Sequence, residues 1–135
     1  MSERDAVLDA VHHINAAWTK RAPDEIAPTL HDAFADDIVI RGPDFAEVGR
    51  GRTECIASYV DFVRKARVHS FEMSHSAVDL FGDFAIATYE WTIFYMLEGT
   101  DYRERGYDAF AFHRDGSRWL AVWRFMLPSK SETDS

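Results

Sequence analysis

The chain has 135 residues, and its 23 acidic side chains outnumber 15 basic ones, which gives a formal net charge of -8. This length suits one domain with a sizeable core, and the charge has the wrong sign for a protein that neutralises nucleic-acid phosphates. We therefore expect a single domain over residues 1–128 that does not bind nucleic acid. The polar segment 129–135 is expected to be a disordered tail.

Cysteine usage and hydropathy bear on the location of the protein. Cys55 is the only cysteine, so a disulfide within the chain is excluded and a reducing environment is favoured. The N-terminal residues lack an apolar run of signal-peptide length, and no stretch is long enough to span a bilayer. We therefore predict a cytoplasmic protein without a membrane partner. Secretion is the alternative, because a single free thiol is compatible with it.

The first helix is predicted from Ser2 onward. Ser2 can cap this helix, and apolar residues recur at the three-and-four spacing from Ala6 to Trp18. One side of the helix should therefore pack on a hydrophobic surface. His13 lies at the margin of this apolar side, where it could reach a cavity or simply face solvent.

A second helix, a short strand and a third helix are predicted next. The second helix is expected to carry Phe34 inward and to end around residues 35–37. The strand at residues 38–40 is stopped by a Gly-Pro pair, because proline cannot donate to a sheet. The loop over residues 42–51 is expected to form the mouth of a cavity, and Thr53 can cap the third helix.

The C-terminal half is predicted to form a small antiparallel sheet. From residue 68 onward β-branched and aromatic residues dominate, interrupted by glycine-containing turns at residues 82–83, 98–101 and 115–116. In the strand at residues 68–81 the alternation changes parity midway, which a β-bulge would explain. The faces of that strand are therefore left unassigned.

The last three strands sort into two faces if the tight turns set the register. Asp108 then lies between Trp91 and Trp123. The inner face is aromatic with isolated acids, so other parts of the chain must cover it. It contains Tyr89, Trp91, Ile93, Tyr95, Tyr102, Glu104, Asp108, Phe110, Trp119, Ala121, Trp123 and Phe125. The outer face contains Glu90, Phe94, Met96, Arg103, Arg105, Tyr107, Leu120, Val122, Arg124 and Met126.

The outer face mixes apolar residues with charges of both signs. Such a face can be complementary to itself across a two-fold axis. We therefore predict a homodimer that is built on this face.

The order of elements resembles the nuclear transport factor 2-like superfamily. The segments AWTKRAPDEIAPTLHDAFADDIVIRGP, GRGRTECIASYV, RERGYDAFAF and GSRWLAVWRFMLP resemble its SnoaL-like and ketosteroid-isomerase-like branches. The resemblance implies an α+β cone in which three N-terminal helices pack on a strongly curved antiparallel sheet. One such scaffold supports many functions, so the site must be argued from individual residues.

The resemblance also implies a role for Asp108. In the ketosteroid isomerases a strand aspartate two residues before a phenylalanine donates to a developing oxyanion, and YDAFAF matches that segment. The general base of that family falls on Gly42, and its phenolic donor falls near His13 or Ile14. We expect Asp108 to be a buried neutral acid that donates to a ligand. The alternative is an ionised structural carboxylate that accepts from an indole N–H of Trp91 or Trp123.

The predicted function is binding of a small hydrophobic or aromatic molecule, with possible turnover as a cofactor-independent isomerase, cyclase or dehydratase. Asp108 would be the catalytic residue. The alternative is a non-catalytic ligand-binding or dimeric association domain. The sequence contains no metal or nucleotide motif, so we expect neither a metal nor a cofactor. The candidate ligand-binding residues are His13, Trp18, Tyr59, Tyr89, Trp91, Tyr95, Tyr102, Glu104, Phe110, Trp119, Trp123 and Phe125.

Overall fold

The computed structural model describes residues 2–134, with side chains through Pro128. Its helices are α1 (Glu3–Lys20), α2 (Pro23–His31) and α3 (Arg52–Lys65), and a short 3-10 turn spans Pro43–Phe45. Its strands are β1 (Phe34–Arg41), β2 (Glu47–Arg50), β3 (Ala66–Phe81), β4 (Phe84–Leu97), β5 (Thr100–Asp115) and β6 (Arg118–Asp134). Within residues 2–134, none of the helices combines the length and the apolar character needed to cross a membrane.

The six strands form one sheet in the order β2-β1-β6-β5-β4-β3. Strands β3 to β6 are joined as antiparallel neighbours, whereas β1 pairs with β6 in parallel. Helix α1 contacts β3, β4 and β6, and α2 and α3 pack beside it. The predicted α+β cone, with three N-terminal helices on a curved sheet, is confirmed. The parallel β1–β6 pair is an addition to the predicted antiparallel sheet.

Helix α1 begins and packs as its sequence predicted. The Ser2 side chain accepts a hydrogen bond from the Asp5 backbone N–H at 3.1 Å. The apolar side of the helix is buried through Val7, Val11 and Trp18, and this burial anchors the helix on the sheet.

The boundary between α2 and β1 differs from the prediction. The helix ends at His31, and Phe34 lies in a strand rather than in a helix. Phe34 pairs with Ala121 of β6 and is 1% exposed. The backbone carbonyl of Ala33 also accepts from the Ala121 N–H at 2.9 Å. Pairing with β6 therefore outweighs the local helical pattern.

The register between β4 and β5 is shifted by two residues from the predicted one. Tyr89 pairs with Asp108 and Trp91 pairs with Gly106. Because side chains alternate with a period of two, an even shift leaves each residue on its predicted face. The inner faces of β4 and β5 are therefore as expected.

A β-bulge between β5 and β6 moves residues of β6 to the other face. Phe112 pairs with Ala121 but Ala111 pairs with Trp123, so Val122 has no partner. From Trp123 to Met126 each side chain of β6 lies on the face opposite to the one predicted. The outer-face assignments of Arg124 and Met126 and the inner-face assignments of Trp123 and Phe125 are therefore wrong. The tight turn alone could not reveal the extra residue.

Strand β3 contains the bulge that its sequence suggested. The register with β4 shifts between Ser74 and Ala77, and His75 within this interval has a φ of 52°. Met73 before the shift and Val78 after it both pack against the core, although one is an odd-numbered and the other an even-numbered residue.

The C-terminal segment differs from the predicted disordered tail over 129–135. Strand β6 continues to Asp134, which pairs with Asp101 at the start of β5. Without this pairing the first residues of β5 would present a row of unpaired backbone groups. Backbone pairing satisfies these groups whatever the polarity of the side chains. Ser135 lies outside the described residues.

Gly106 lies at a second irregularity of the β5–β6 register, beneath the indole of Trp91. A Cβ atom at this position would lie 2.4 Å from Cζ2 of Trp91 and 2.6 Å from the carbonyl oxygen of Leu127. One of these contacts is with backbone, so a rotamer change alone cannot relieve the crowding. Glycine is therefore required here for Trp91 to keep its position.

We predict that Gly106→Ala lowers the free energy of unfolding by about 3 kcal/mol, because it overpacks a fixed site. Gly116→Ala is the comparison, since Gly116 has a φ of +64° with open space around it. The comparison variant should lose about 1 kcal/mol from backbone strain alone. Urea unfolding measures both losses. Equal losses in the two variants would contradict the steric role of Gly106.

Candidate functional site

Asp108 forms the centre of a buried polar network on the inner face of the sheet. Its side chain has 0% exposure. Its Oδ2 atom accepts from the Tyr89 hydroxyl at 2.6 Å and from Arg124 Nη2 and Nε at 2.8 and 3.2 Å. Its Oδ1 atom accepts from Trp91 Nε1 at 3.0 Å. All these partners donate to Asp108, and the hydrogen bond from Trp91 is the contact that the structural alternative for this residue expects.

Arg124 is the cation of this network, and its side chain is 9% exposed. Its guanidinium lies 5.2 Å from the ring centre of Tyr59 and 5.5 Å from that of Phe110, and Nη1 donates to the Tyr59 hydroxyl at 2.6 Å. Burial acts to lower the pKa of Arg124, but the Asp108 carboxylate opposes it and the pKa is raised. Arg124 is therefore a permanent positive charge inside the protein.

The network continues from Asp108 to the first helix. The Tyr89 hydroxyl accepts from Asn15 Nδ2 at 3.1 Å, and Asn15 Oδ1 accepts from Trp18 Nε1 at 2.9 Å. Burial, followed by the nearby Asp108 charge, raises the pKa of Tyr89 well above its usual value. Burial likewise raises the pKa of Tyr59 to about 12 although Arg124 opposes it. Both phenols are therefore neutral at physiological pH. Among the described side chains, every buried nitrogen and oxygen has a partner.

A cavity of about 320 Å³ lies between the helices and the inner face of the sheet, next to this network. Arg124 and Tyr59 line it, whereas Asp108, which is hydrogen-bonded to Arg124, does not. Val48 of β2 also lines the cavity and is 44% exposed. The cavity therefore opens to solvent beside the segment that was expected to form its mouth.

A second polar group lines the same cavity. The Tyr95 hydroxyl of β4 donates to Glu104 Oε1 of β5 at 2.5 Å. Burial, followed by the hydrogen bond to Glu104, raises the pKa of Tyr95. The ring of Tyr95 packs edge-on against Phe62 of α3 at 5.1 Å and stacks on Tyr102 at 5.4 Å. The cavity therefore has a carboxylate within an aromatic wall, separate from the Arg124 cluster.

Five of the predicted ligand-binding residues meet at the cavity. They are Trp18, Tyr59, Trp91, Tyr95 and Glu104. Tyr89 and Phe110 are buried in the layer beneath and do not line it, and Tyr102 stacks behind Tyr95. The remaining predicted residues lie elsewhere.

His13 is exposed on α1. Trp119 lies away from the cavity, where its Nε1 donates to Glu3 at 3.2 Å and its ring packs under the guanidinium of Arg114. Trp123 and Phe125 face outward because of the bulge in β6, and Phe125 packs against Phe45 at 5.0 Å. These four residues do not line the cavity.

Several cavity residues were missed by the sequence reasoning. Arg124 and Met126 were assigned to the outer face, and only the bulge brings them inward. Phe62 also lines the cavity, and its position three residues after Tyr59 on one helix could have identified it. Phe71 lines it from the strand whose faces were unassigned. Among the described residues no group of three or more His, Cys, Asp or Glu side chains could hold a metal ion.

The α+β cone of three helices on a curved sheet is shared by solved structures of the nuclear transport factor 2-like class. A protein of this class from Cytophaga hutchinsonii superposes with a TM-score of 0.79 at 16% identity, covering 96% of this chain and 100% of its own. A scytalone dehydratase-like protein from Novosphingobium aromaticivorans superposes with a TM-score of 0.79 at 15% identity, covering 95% of this chain and 85% of its own. A ketosteroid isomerase-like protein from Erwinia carotovora atroseptica superposes with a TM-score of 0.76 at 14% identity, covering 96% of this chain and 98% of its own.

The family follows from the sequence itself. The model of the SnoaL-like domain matches residues 11–122, so the chain belongs to the SnoaL-like domain family. No curated relative matches the sequence. At 14 to 16% identity the three structures establish the fold alone, so the chemistry must come from the cavity of this chain.

We predict that Asp108→Asn and Arg124→Met each lower the free energy of unfolding by about 3 kcal/mol or more, because each breaks a buried charge pair. The loss in the double variant should be smaller than the sum of the two single losses by about 1.5 kcal/mol or more, since the double variant leaves no unpaired charge. A double-mutant cycle from urea unfolding at neutral pH measures this coupling.

The matched control for this cycle is Asp83→Asn, which breaks an exposed ion pair with Arg114. Exposed pairs are screened by water, so this variant should leave the free energy of unfolding nearly unchanged. Additive losses at Asp108 and Arg124 would contradict the proposed coupling.

Proposed function

We propose that this protein binds a small, largely apolar molecule in the cavity between its helices and its sheet. The observation that carries the proposal is the open cavity of about 320 Å³, which falls within the range of small-molecule sites. A fold whose tryptophans filled this space would instead favour a structural role. Trp18 and Trp91 line the cavity without closing it.

Arg124 and Tyr59 are the proposed polar contacts for the ligand. Three of the five N–H groups of Arg124 bond to Asp108 and Tyr59, so two N–H groups remain for an acceptor atom in the cavity. The side-chain oxygens of Asp108 are both occupied, and its side chain has no exposed surface. In this proposal Asp108 is a positioning residue that acts on the ligand through Arg124.

Turnover of the ligand is a second candidate function. A fixed cation and a neutral phenol that line the cavity can stabilise an oxygen on which negative charge develops. This is the chemistry of a cofactor-independent isomerase, cyclase or dehydratase. The proposed roles are electrophile for Arg124, hydrogen-bond donor for Tyr59 and positioning residue for Asp108.

A homodimer through the outer face of the sheet is a further part of the proposal. A groove of about 510 Å³ crosses this face, and Tyr107 and Leu127 beside it are 49% and 42% exposed. Phe125 also lines the groove, and His75 pairs there with Glu90. Exposed apolar side chains among paired charges are typical of a two-fold interface.

The cytoplasmic location also belongs to the proposal. It rests on Cys55, which is fully buried, and burial raises the pKa of its thiol to about 11. A thiol in this state is inert and requires no disulfide partner.

We predict that Ser58→Phe, which fills the cavity from α3, weakens binding of naphthylmethanol at least about tenfold, equivalent to 1.4 kcal/mol. Ser58 lines the cavity and is half-buried. Asp61→Phe is the matched control, because Asp61 is exposed on the same helix and should leave the affinity unchanged. Titration calorimetry measures both. Equal affinities for the two variants would overturn the cavity as the binding site.

We predict that Tyr107→Glu shifts the protein from dimer to monomer at micromolar concentration, because two like charges would meet across the two-fold axis. Ala27→Glu adds the same charge on the exposed side of α2 and should leave the dimer intact. Sedimentation velocity separates the two species. A wild-type protein that sediments only as a monomer would rule out the dimer.

A further inference from the structure

The cavity has two polar positions that differ in charge. Arg124 lies near Asp108 of β5, and Glu104 lies four residues away from Asp108 on the same face of that strand. At a rise of about 3.3 Å per residue, four residues separate the two backbone positions by roughly 13 Å. Arg124 and Glu104 line the same cavity, so one small molecule can contact both residues.

The charges at the two positions are neutralised differently. The positive charge of Arg124 is paired with the Asp108 carboxylate inside the protein. For Glu104, the polar contact among the side chains described through Pro128 is the neutral Tyr95 hydroxyl. The carboxylate of Glu104 therefore enters the cavity wall without a cation from these side chains. A ligand that brings a positive charge would supply one.

The rings around Glu104 favour the same kind of ligand. Phe62 and Tyr102 pack against Tyr95, at 5.1 and 5.4 Å between ring centres, and Trp18 packs edge-on against Phe62 at 6.1 Å. The faces of aromatic rings attract cations, most strongly where water is excluded. An anionic group would meet both the Glu104 charge and the electron-rich ring faces.

We propose that Glu104 makes the cavity selective for a molecule with an apolar or aromatic body and a protonated amine at one end. This inference rests on the proposed binding function and names the class of ligand. The amine would donate to Glu104 among the rings of Phe62 and Tyr95. The body of the ligand would lie toward Trp91 and Arg124.

A purely structural role for Glu104 is the competing explanation. In that case its carboxylate would only fix the Tyr95 hydroxyl, and the charge of the ligand would not affect affinity. The two explanations therefore differ in a comparison of ligands that share one body and differ in one end group.

The test uses three probes at neutral pH: naphthylmethylamine, which is protonated, naphthylmethanol, which is neutral, and naphthoate, which is anionic. Calorimetry on the wild-type protein should give at least about tenfold tighter binding of the amine than of the alcohol, as expected for a charge-assisted hydrogen bond. Naphthoate should bind most weakly. In Glu104→Gln the affinity for the amine should fall to within about threefold of the affinity for the alcohol, and the affinity for the alcohol itself should not change.

Glu72→Gln is the matched control, because it removes the same charge from an exposed position of β3. It should retain the preference of the wild type for the amine. Thermal unfolding verifies that Glu104→Gln is folded, and the three wild-type affinities decide the matter if it is not.

Equal binding of the amine and the alcohol, tighter binding of naphthoate, or an unchanged preference in Glu104→Gln would overturn the amine specificity while leaving the binding function intact. Failure of all three probes to bind the wild type would overturn the binding function as well.

Discussion

The buried pair between Asp108 and Arg124 is the interaction on which the inner part of this structure depends. Removing two charges from water costs several kcal/mol per ion, and the attraction between them offsets that cost only where the remaining hydrogen-bonding atoms are satisfied. Tyr89 and Trp91 supply donors to the carboxylate, and Tyr59 accepts from the guanidinium. Because these partners come from β4 and α3, the pair fixes the helical layer relative to the sheet.

A single additional residue in β6 makes this pair possible. Val122 lies unpaired at the bulge, and the strand beyond it presents Arg124 to the inside and Phe125 to the outside. Without the bulge the guanidinium would face solvent and Asp108 would be a buried charge without a cation. The same residue places Trp123 and Phe125 on the outer face, where they extend its apolar surface. The polar base of the cavity and the candidate dimer surface therefore have one structural cause.

The parts of the structure that were predictable from sequence are those encoded by local periodicity. The Ser2 cap, the apolar side of α1 and the Asp-Gly turn before β6 each depend on residues within one or two turns of chain. The faces of β4 and β5 were correct despite a two-residue error in register, because an even error preserves parity.

The arrangement of β6 was not predictable for a physical reason. In the segment WLAVWRFM large apolar residues fall at both odd and even positions, so the sequence marks neither face of the strand as solvent-exposed. One inserted residue therefore does not visibly change the hydrophobic pattern. Arg124 is the one charged residue of that segment, and charged residues are almost always exposed unless they are paired. Its burial depends on a partner 16 residues earlier in the chain. Sequence reasoning could place Asp108 inside, but it could not identify the cation that accompanies it.

The energetics of the cavity support a ligand rather than a packing defect. A dry, enclosed void costs about 24 cal/mol per Å³ in mutated cores, which for a volume of this size would be about 8 kcal/mol and comparable to the whole stability of a domain. Opening to solvent past Val48 reduces this cost, since water can occupy the polar parts of the cavity. The apolar rings of Trp18 and Phe62 gain nothing from that water. A ligand that covers these rings would bury their surface and stabilise the folded chain by mass action, while the hydrogen-bonded base beneath them needs no rearrangement to receive it.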